Sequence, residues 1–259
     1  MNFTPIVLVG FEGRDRALAQ IKRYVHDITQ IMFYRTNDLI HSRRVLWHLE
    51  EAIPDILEVC KDGFDVEFAR TLAFVHDDVE VITGDVQLYD KERMRSEQLE
   101  ELARTENEAI SILVGMYHSL ANGFDYSELL LAAKQKNRIE AQYVSFFDKF
   151  DGGGEAWHEV WAGNKRFLRP AGGDGEDKGY VRRLNEFPDK YPLMKPFFHR
   201  FPTYLPSLFD FGLVAEKGMP HTSNSLHKDS GYFLYDQWRR TIINREGIDQ
   251  LITQVEFEL

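Results

Sequence analysis

The sequence predicts an all-α protein, and three observations carry that prediction. Apolar residues recur at three- and four-residue spacing in one segment after another. No region shows the sustained two-residue alternation that marks strands. Pro54, Gly84, Asn122-Gly123 and Gly152-Gly153-Gly154 punctuate the chain between periodic segments.

The elements follow in order. Residues 14–34 read as a helix with Leu18, Ile21, Tyr24, Val25, Ile28 and Ile31 on its inner face. Residues 37–53 read as a second, with Leu39, Leu46, Leu49 and Ile53 on one stripe and Pro54 placed to stop it. Asp65 is a plausible N-cap for a third helix, whose Phe68, Leu72 and Val75 lead into His76. A long charged helix spans 91–120 and ends at the turn signal Asn122-Gly123. Short helices follow at 125–134 and 137–150; in the second, Ile139, Tyr143, Phe146, Phe147 and Phe150 keep helical spacing. Asp151-Gly152-Gly153-Gly154 then breaks the pattern, which assigns Asp151 to a turn. Beyond it the chain reads as loop-rich to about Gly179, apart from a short helix near Trp157–Trp161. Further helices are expected at 190–200, around Leu234, Trp238 and Ile242, and around Ile248, Leu251, Ile252 and Val255. The domain reading is a core over 1–150 and a loop-rich helical extension over 151–259 packed on it.

The 259 residues carry a formal net charge of −11, which disfavours non-specific nucleic-acid or anionic-membrane binding. The apolar share of 43% excludes wholesale disorder. A single cysteine, Cys60, excludes an internal disulfide framework and a cysteine-built zinc site. No stretch approaches the 18 or so apolar residues of a membrane helix, and Met1–Phe11 lacks the basic start of a signal peptide. The expectation is a soluble cytoplasmic protein with no nucleic-acid or membrane partner.

The chemistry concentrates in Phe74-Val75-His76-Asp77-Asp78-Val79-Glu80-Val81-Ile82-Thr83-Gly84-Asp85. An imidazole and a carboxylate stand side by side at the end of an apolar helix, where polar groups need a partner. Glu80 lies one turn on, and Asp85 follows a glycine. His41 lies upstream on its own helix, and Asp148 downstream near the end of an aromatic face. Two neutral imidazoles and two carboxylates suit one borderline or hard divalent ion, such as Mn, Co, Fe, Ni, Zn or Mg, with positions left for water. Glu80 and Asp85 are placed to position a water and protonate a leaving alkoxide. Asp78 is assigned to a solvated or capping position.

The order His41, His76-Asp77, Asp148 resembles the HD-domain metal-dependent phosphohydrolases. The segment His76-Asp77-x-x-Glu80-x-x-x-Gly84-Asp85 more closely resembles the bacterial 5′-deoxynucleotidases of the YfbR type, over roughly residues 30–150. The resemblance implies a bundle of about five core helices around the metal. It assigns metal binding to His41, His76, Asp77 and Asp148, and assisting catalytic roles to Glu80 and Asp85. It also implies a homodimer. The Arg-Trp pair that contacts the nucleotide in that group is absent, and Arg35 is the nearest basic residue for a phosphate clamp.

The activity expected is hydrolysis of nucleoside 5′-monophosphates to nucleoside and phosphate. The alternatives are di- or triphosphates, cyclic nucleotides, a non-nucleotide phosphoester, or nucleotide binding without catalysis. Triphosphates need more positive charge than this chain gathers near its motifs.

Overall fold

The computed structural model describes residues 3–23, 37–86, 88–91, 93–161, 180–205 and 230–246. Arg35, part of the first predicted helix and the predicted helix around Ile248–Val255 lie outside them. The described chain is helical except for one hairpin of two-residue strands. It divides into two units.

The first unit comprises residues 1–25, 35–50 and 65–145. Its helices are α1 (Arg14–Gln20), the start of α2 (Asp38–Cys60), α3 (Val66–Val75), α4 (Glu80–Thr83), α5 (Leu88–Lys91), α6 (Ser96–Met116), α7 (Tyr126–Gln135) and the start of α8 (Ile139–Trp161). The expected cap at Asp65 holds, and Asp125 adds one that was not expected. Asp65 accepts a hydrogen bond from the Phe68 N–H at 2.9 Å, and α3 begins there. Asp125 does the same for α7 through the Glu128 N–H. Asn122-Gly123 does not end the long helix, which runs only over Ser96–Met116, because the residues before the turn pair as a strand instead. Both residues have positive φ, 50° and 89°, so the chain folds back and pairs β1 (Leu120–Ala121) with β2 (Phe124–Asp125). The core of this unit gathers Leu18, Val45, Leu49, Phe68, Leu72, Val75, Leu113, Tyr126 and Tyr143.

The second unit comprises residues 26–34, 51–64 and 146–259. It holds the end of α2, the remainder of α8, α9 (Tyr180–Lys190), α10 (Lys195–Arg200) and α11 (Ser230–Glu246). Its core is aromatic: Phe146 meets Phe187 and Phe198 at ring separations of 5.2 and 5.1 Å, and Phe197 meets Tyr204 at 4.8 Å. Leu234, Trp238 and Ile242 are buried along α11, as their spacing predicts.

Three expectations fail for one reason, which is that burial outweighs local propensity. The second helix runs through Pro54 to Cys60. Ile53 and Ile56 straddle the proline and are fully buried. Two buried isoleucines contribute about 3–6 kcal/mol, enough to offset the ~3 kcal/mol cost of an interior proline. The glycine run does not break the chain either, for α8 continues to Trp161. There the indole of Trp238 lies so close that a methyl group on Gly154 would sit 2.2 Å from its Cγ. Trp238 Nε1 donates to Asp151 Oδ1 at 2.8 Å, so Asp151 is a buried helix residue, not part of a turn. The stretch read as loop therefore begins as helix because the indole needs both the glycine and the carboxylate. Replacing Gly154 by alanine is expected to lower stability by about 3 kcal/mol, the upper range for overpacking. Chemical denaturation of the variant beside Gly63→Ala, where an added methyl meets no atom within 4 Å, measures the difference.

Candidate active site

The site belongs to the first unit and is built from three short stretches. The first is the start of α2. Asn37 caps it, its Oδ1 accepting from the Ile40 N–H at 3.0 Å. Asp38 and His41, three residues apart, then share one face of the first turn. Both are fully buried.

The second stretch follows α3. Residues 76–79 turn tightly, with the Asp78 N–H donating to Val75 O and the Glu80 N–H to Asp77 O, before α4 starts. The turn presents His76, Asp77 and Glu80 together. Gly84 ends α4 at φ 73°, a backbone conformation that glycine alone adopts without strain, and Asp85 follows. The third stretch is the end of the N-terminal segment. Lys22 forms a backbone bridge with Asn37, which lays Arg23 beside the start of α2.

Asp77 lies at the centre. Its Oδ2 is 3.5 Å from His41 Nε2, its Oδ1 is 3.3 Å from His76 Nε2, and the two imidazole rings are 5.5 Å apart. His76 is the most informative of the three. Its Nδ1 lies 2.8 Å from the carbonyl oxygen of Ala73. A carbonyl only accepts, so Nδ1 carries a proton, and in the neutral ring Nε2 then presents a lone pair. That nitrogen is buried, faces a carboxylate oxygen, and has no hydrogen bond to any described residue. A lone pair turned towards an anion calls for a cation between them. A ring N–H held by a backbone carbonyl is also how proteins orient a metal-ligating histidine. The set of imidazoles and carboxylate therefore fits a divalent ion of the borderline or hard kind.

The surrounding charge agrees. Burial pushes the Asp38 carboxyl up to about 6; the negative Asp77 adds to the rise and Arg23 opposes it. Burial raises Glu80 well above the usual carboxylate range, with Asp77, Asp38 and Asp85 adding to it. Asp85 is raised by burial and by Asp77 against the pull of Arg23. Four carboxyl groups thus share one field, and the protonated form that a general acid needs is favoured at Glu80.

The structure brings His41, His76, Asp77, Glu80 and Asp85 into this field. Asp148 lies on the part of α8 in the second unit, mostly buried, with Lys149 Nζ 2.6 Å from its Oδ2. Asp78 departs from expectation. It is fully buried rather than solvated, and Arg14 of α1 grips it, Nε reaching its two oxygens at 2.9 and 2.8 Å and Nη2 donating at 2.6 Å. The Tyr126 hydroxyl adds a bond at 2.7 Å. Consecutive aspartates therefore face opposite ways, Asp77 to the site and Asp78 to the framework.

Sequence reasoning missed Arg23 and Asp38. Arg23 Nη1 lies 3.5 Å from Asp38 Oδ1 and 3.7 Å from Asp77 Oδ2. The available signal is Arg23-Tyr24, a basic residue followed by an aromatic one, where an Arg-Trp pair is sought.

Comparison with known proteins follows the same line. The family model of the YfbR-like 5′-deoxynucleotidases matches residues 18–176. No curated protein matches the chain. A conserved hypothetical protein from Pyrococcus furiosus shares the fold at a TM-score of 0.50, with 21% identity over 73% of this chain and 96% of that one. A structure titled a predicted metal-dependent phosphohydrolase, from Magnetospirillum magnetotacticum MS-1, is 16% identical over 75% of this chain and 92% of its own, at a TM-score of 0.48. With more than half of its length matched by the family model, and with His41, His76-Asp77, Glu80 and Asp85 gathered as described, the chain belongs to the YfbR-like 5′-deoxynucleotidase family.

Proposed function

We propose that this nucleotide phosphohydrolase is metal-dependent and acts on nucleoside 5′-monophosphates, releasing nucleoside and inorganic phosphate. The observation that carries the reading is His76, whose protonated Nδ1 fixes a buried Nε2 lone pair against Asp77. His41, His76 and Asp77 hold one divalent ion, and Asp148 completes the set. When bound, such an ion polarises a phosphoryl oxygen and lowers the pKa of water.

The chain's own residues do the rest. A water attacks phosphorus, the bond from phosphorus to the 5′ oxygen breaks, and the leaving oxygen takes a proton. Glu80, buried among carboxylates that favour its protonated form, is the donor of that proton. Asp85 orients the water. Positive charge for the phosphate comes from Arg23, beside Asp77, and from Arg35. In the same reading, residues 1–150 form the HD-domain core and 151–259 its extension, and the enzyme works in the cytoplasm as a homodimer. No described helix is long and apolar enough to cross a membrane.

The test is phosphate release from a panel of ribo- and deoxyribonucleoside monophosphates with Mn, Co or Mg, and with chelator as blank. Release that needs the ion, and that is faster for monophosphates than for triphosphates or cyclic nucleotides, supports the proposal. Turnover that survives complete removal of the ion overturns it.

A further inference from the structure

We infer that Asp38, Asp77 and Glu80 form a second cation site beside the histidine centre, at which a hard divalent ion such as calcium binds and inhibits. The inhibition rests on the reading of the enzyme as a phosphohydrolase with Glu80 as proton donor. The binding does not.

Geometry comes first. The three side chains stand at the start of α2, in the turn after α3 and at the start of α4, all in the first unit. One carboxylate oxygen from each lies within 4.8 Å of the other two. Calcium holds its oxygens at roughly 2.3–2.6 Å, so oxygens on one ion lie within about 5 Å of each other. The backbone pins the set. Asn37 caps the helix that carries Asp38, and the Glu80 N–H donates to the Asp77 carbonyl oxygen at 2.9 Å.

Burial adds a separate observation. Asp38 is fully buried, and neither of its oxygens has a hydrogen bond to a described residue. Glu80 Oε2 is buried in the same condition. Buried carboxylate oxygens ordinarily take hydrogen bonds, and a charge held without them calls for a counter-charge. Arg23 supplies part of it. Its Nη1 lies 3.5 Å from Asp38 Oδ1, longer than the roughly 2.7–3.2 Å of an N–H···O hydrogen bond. Its charge also opposes a second cation, so the ion binds here more loosely than at the histidines.

The donors decide which ion. Imidazole nitrogens suit borderline metals, whereas three carboxylate oxygens suit calcium or magnesium. Asp77 borders both places, its Oδ1 lying 3.3 Å from His76 Nε2. The consequence falls on Glu80. As the ion enters, the Glu80 carboxyl gives its proton to solvent and binds the ion through oxygen. No proton then remains on it for the leaving 5′ oxygen. Metal that fills the histidine centre activates, and excess hard cation slows turnover.

The experiment loads the full chain with one cobalt ion and titrates it with calcium by calorimetry, with cobalt per chain measured at the end. Phosphate release from a deoxyribonucleoside monophosphate is followed over the same calcium range. One calcium is expected to bind without displacing cobalt, and kcat to fall roughly 100-fold, which is what loss of a general acid costs. Asp38→Asn and Glu80→Gln should each keep their cobalt and weaken calcium at least about tenfold.

A cobalt-loaded wild type that takes up no calcium at millimolar concentration overturns the site. So does calcium that displaces cobalt, or that binds Asp38→Asn as tightly as wild type. If Asp38→Asn does not fold, the titration of Glu80→Gln decides by the same criterion. Calcium that binds and leaves kcat unchanged overturns the inhibition. A wild type that releases no phosphate from any nucleotide defeats the functional reading instead, and the calcium titration still judges the site.

Discussion

Asp77→Ala is expected to lose its metal and at least about a hundredfold in activity. Residues that merely support a ligand cost 10- to 100-fold when removed, and Asp77 stands between both histidines. The change removes one anion from a field of four carboxyl groups, so it relieves repulsion and need not destabilise the fold. That separates the two effects. Metal analysis should show an empty protein while thermal unfolding in chelator stays at or above that of the metal-free wild type. A variant that keeps its metal and its turnover would falsify the assignment of Asp77 as a ligand.

Arg14→Ala should have the largest effect on stability. Arg14 and Asp78 are both essentially fully buried, and the guanidinium makes three hydrogen bonds to that carboxylate and one to the Phe74 carbonyl. Removing the cation leaves the Asp78 carboxylate buried with only the Tyr126 hydroxyl, among the described residues, to bind it. Breaking a buried pair in this way costs about 3–5 kcal/mol, a large fraction of the stability of an ordinary domain. Urea unfolding at neutral pH measures it. The double variant Arg14→Met with Asp78→Leu should recover much of the loss, since replacing both partners by apolar groups removes the orphaned charge. If Arg14→Ala alone unfolds like the wild type, the pair contributes little and the account of the framework is wrong.

Local signals were the legible ones. The cap at Asp65, the turn at Asn122-Gly123 and the stripe of Leu234, Trp238 and Ile242 each depend on residues a few positions apart, and the structure carries them. His76-Asp77 stood out because two polar groups follow an apolar helix face. What escaped was set by distant partners. Pro54 and Gly154 look like breakers until the burial of Ile53, Ile56 and Trp238 is known. Asp78 looks like a surface residue until Arg14, 64 positions away, is found beside it. Arg23 and Asp38 acquire meaning only through the backbone bridge between Lys22 and Asn37, which no periodicity announces.

The grip of Arg14 on Asp78 also has a kinetic side. The turn that carries His76 and Asp77 is made of neighbours in sequence, yet its anchor joins residues 64 positions apart. Closing a loop of that length costs chain entropy that a helix or a local turn does not. On a growing chain, α1 leaves the ribosome long before its partner carboxylate exists. The N-terminal segment must wait, unpaired, until the turn is made and Tyr126 has followed it. The turn that carries His76 and Asp77 is therefore anchored only once the chain has grown past Asp78 and the first helix has docked on it.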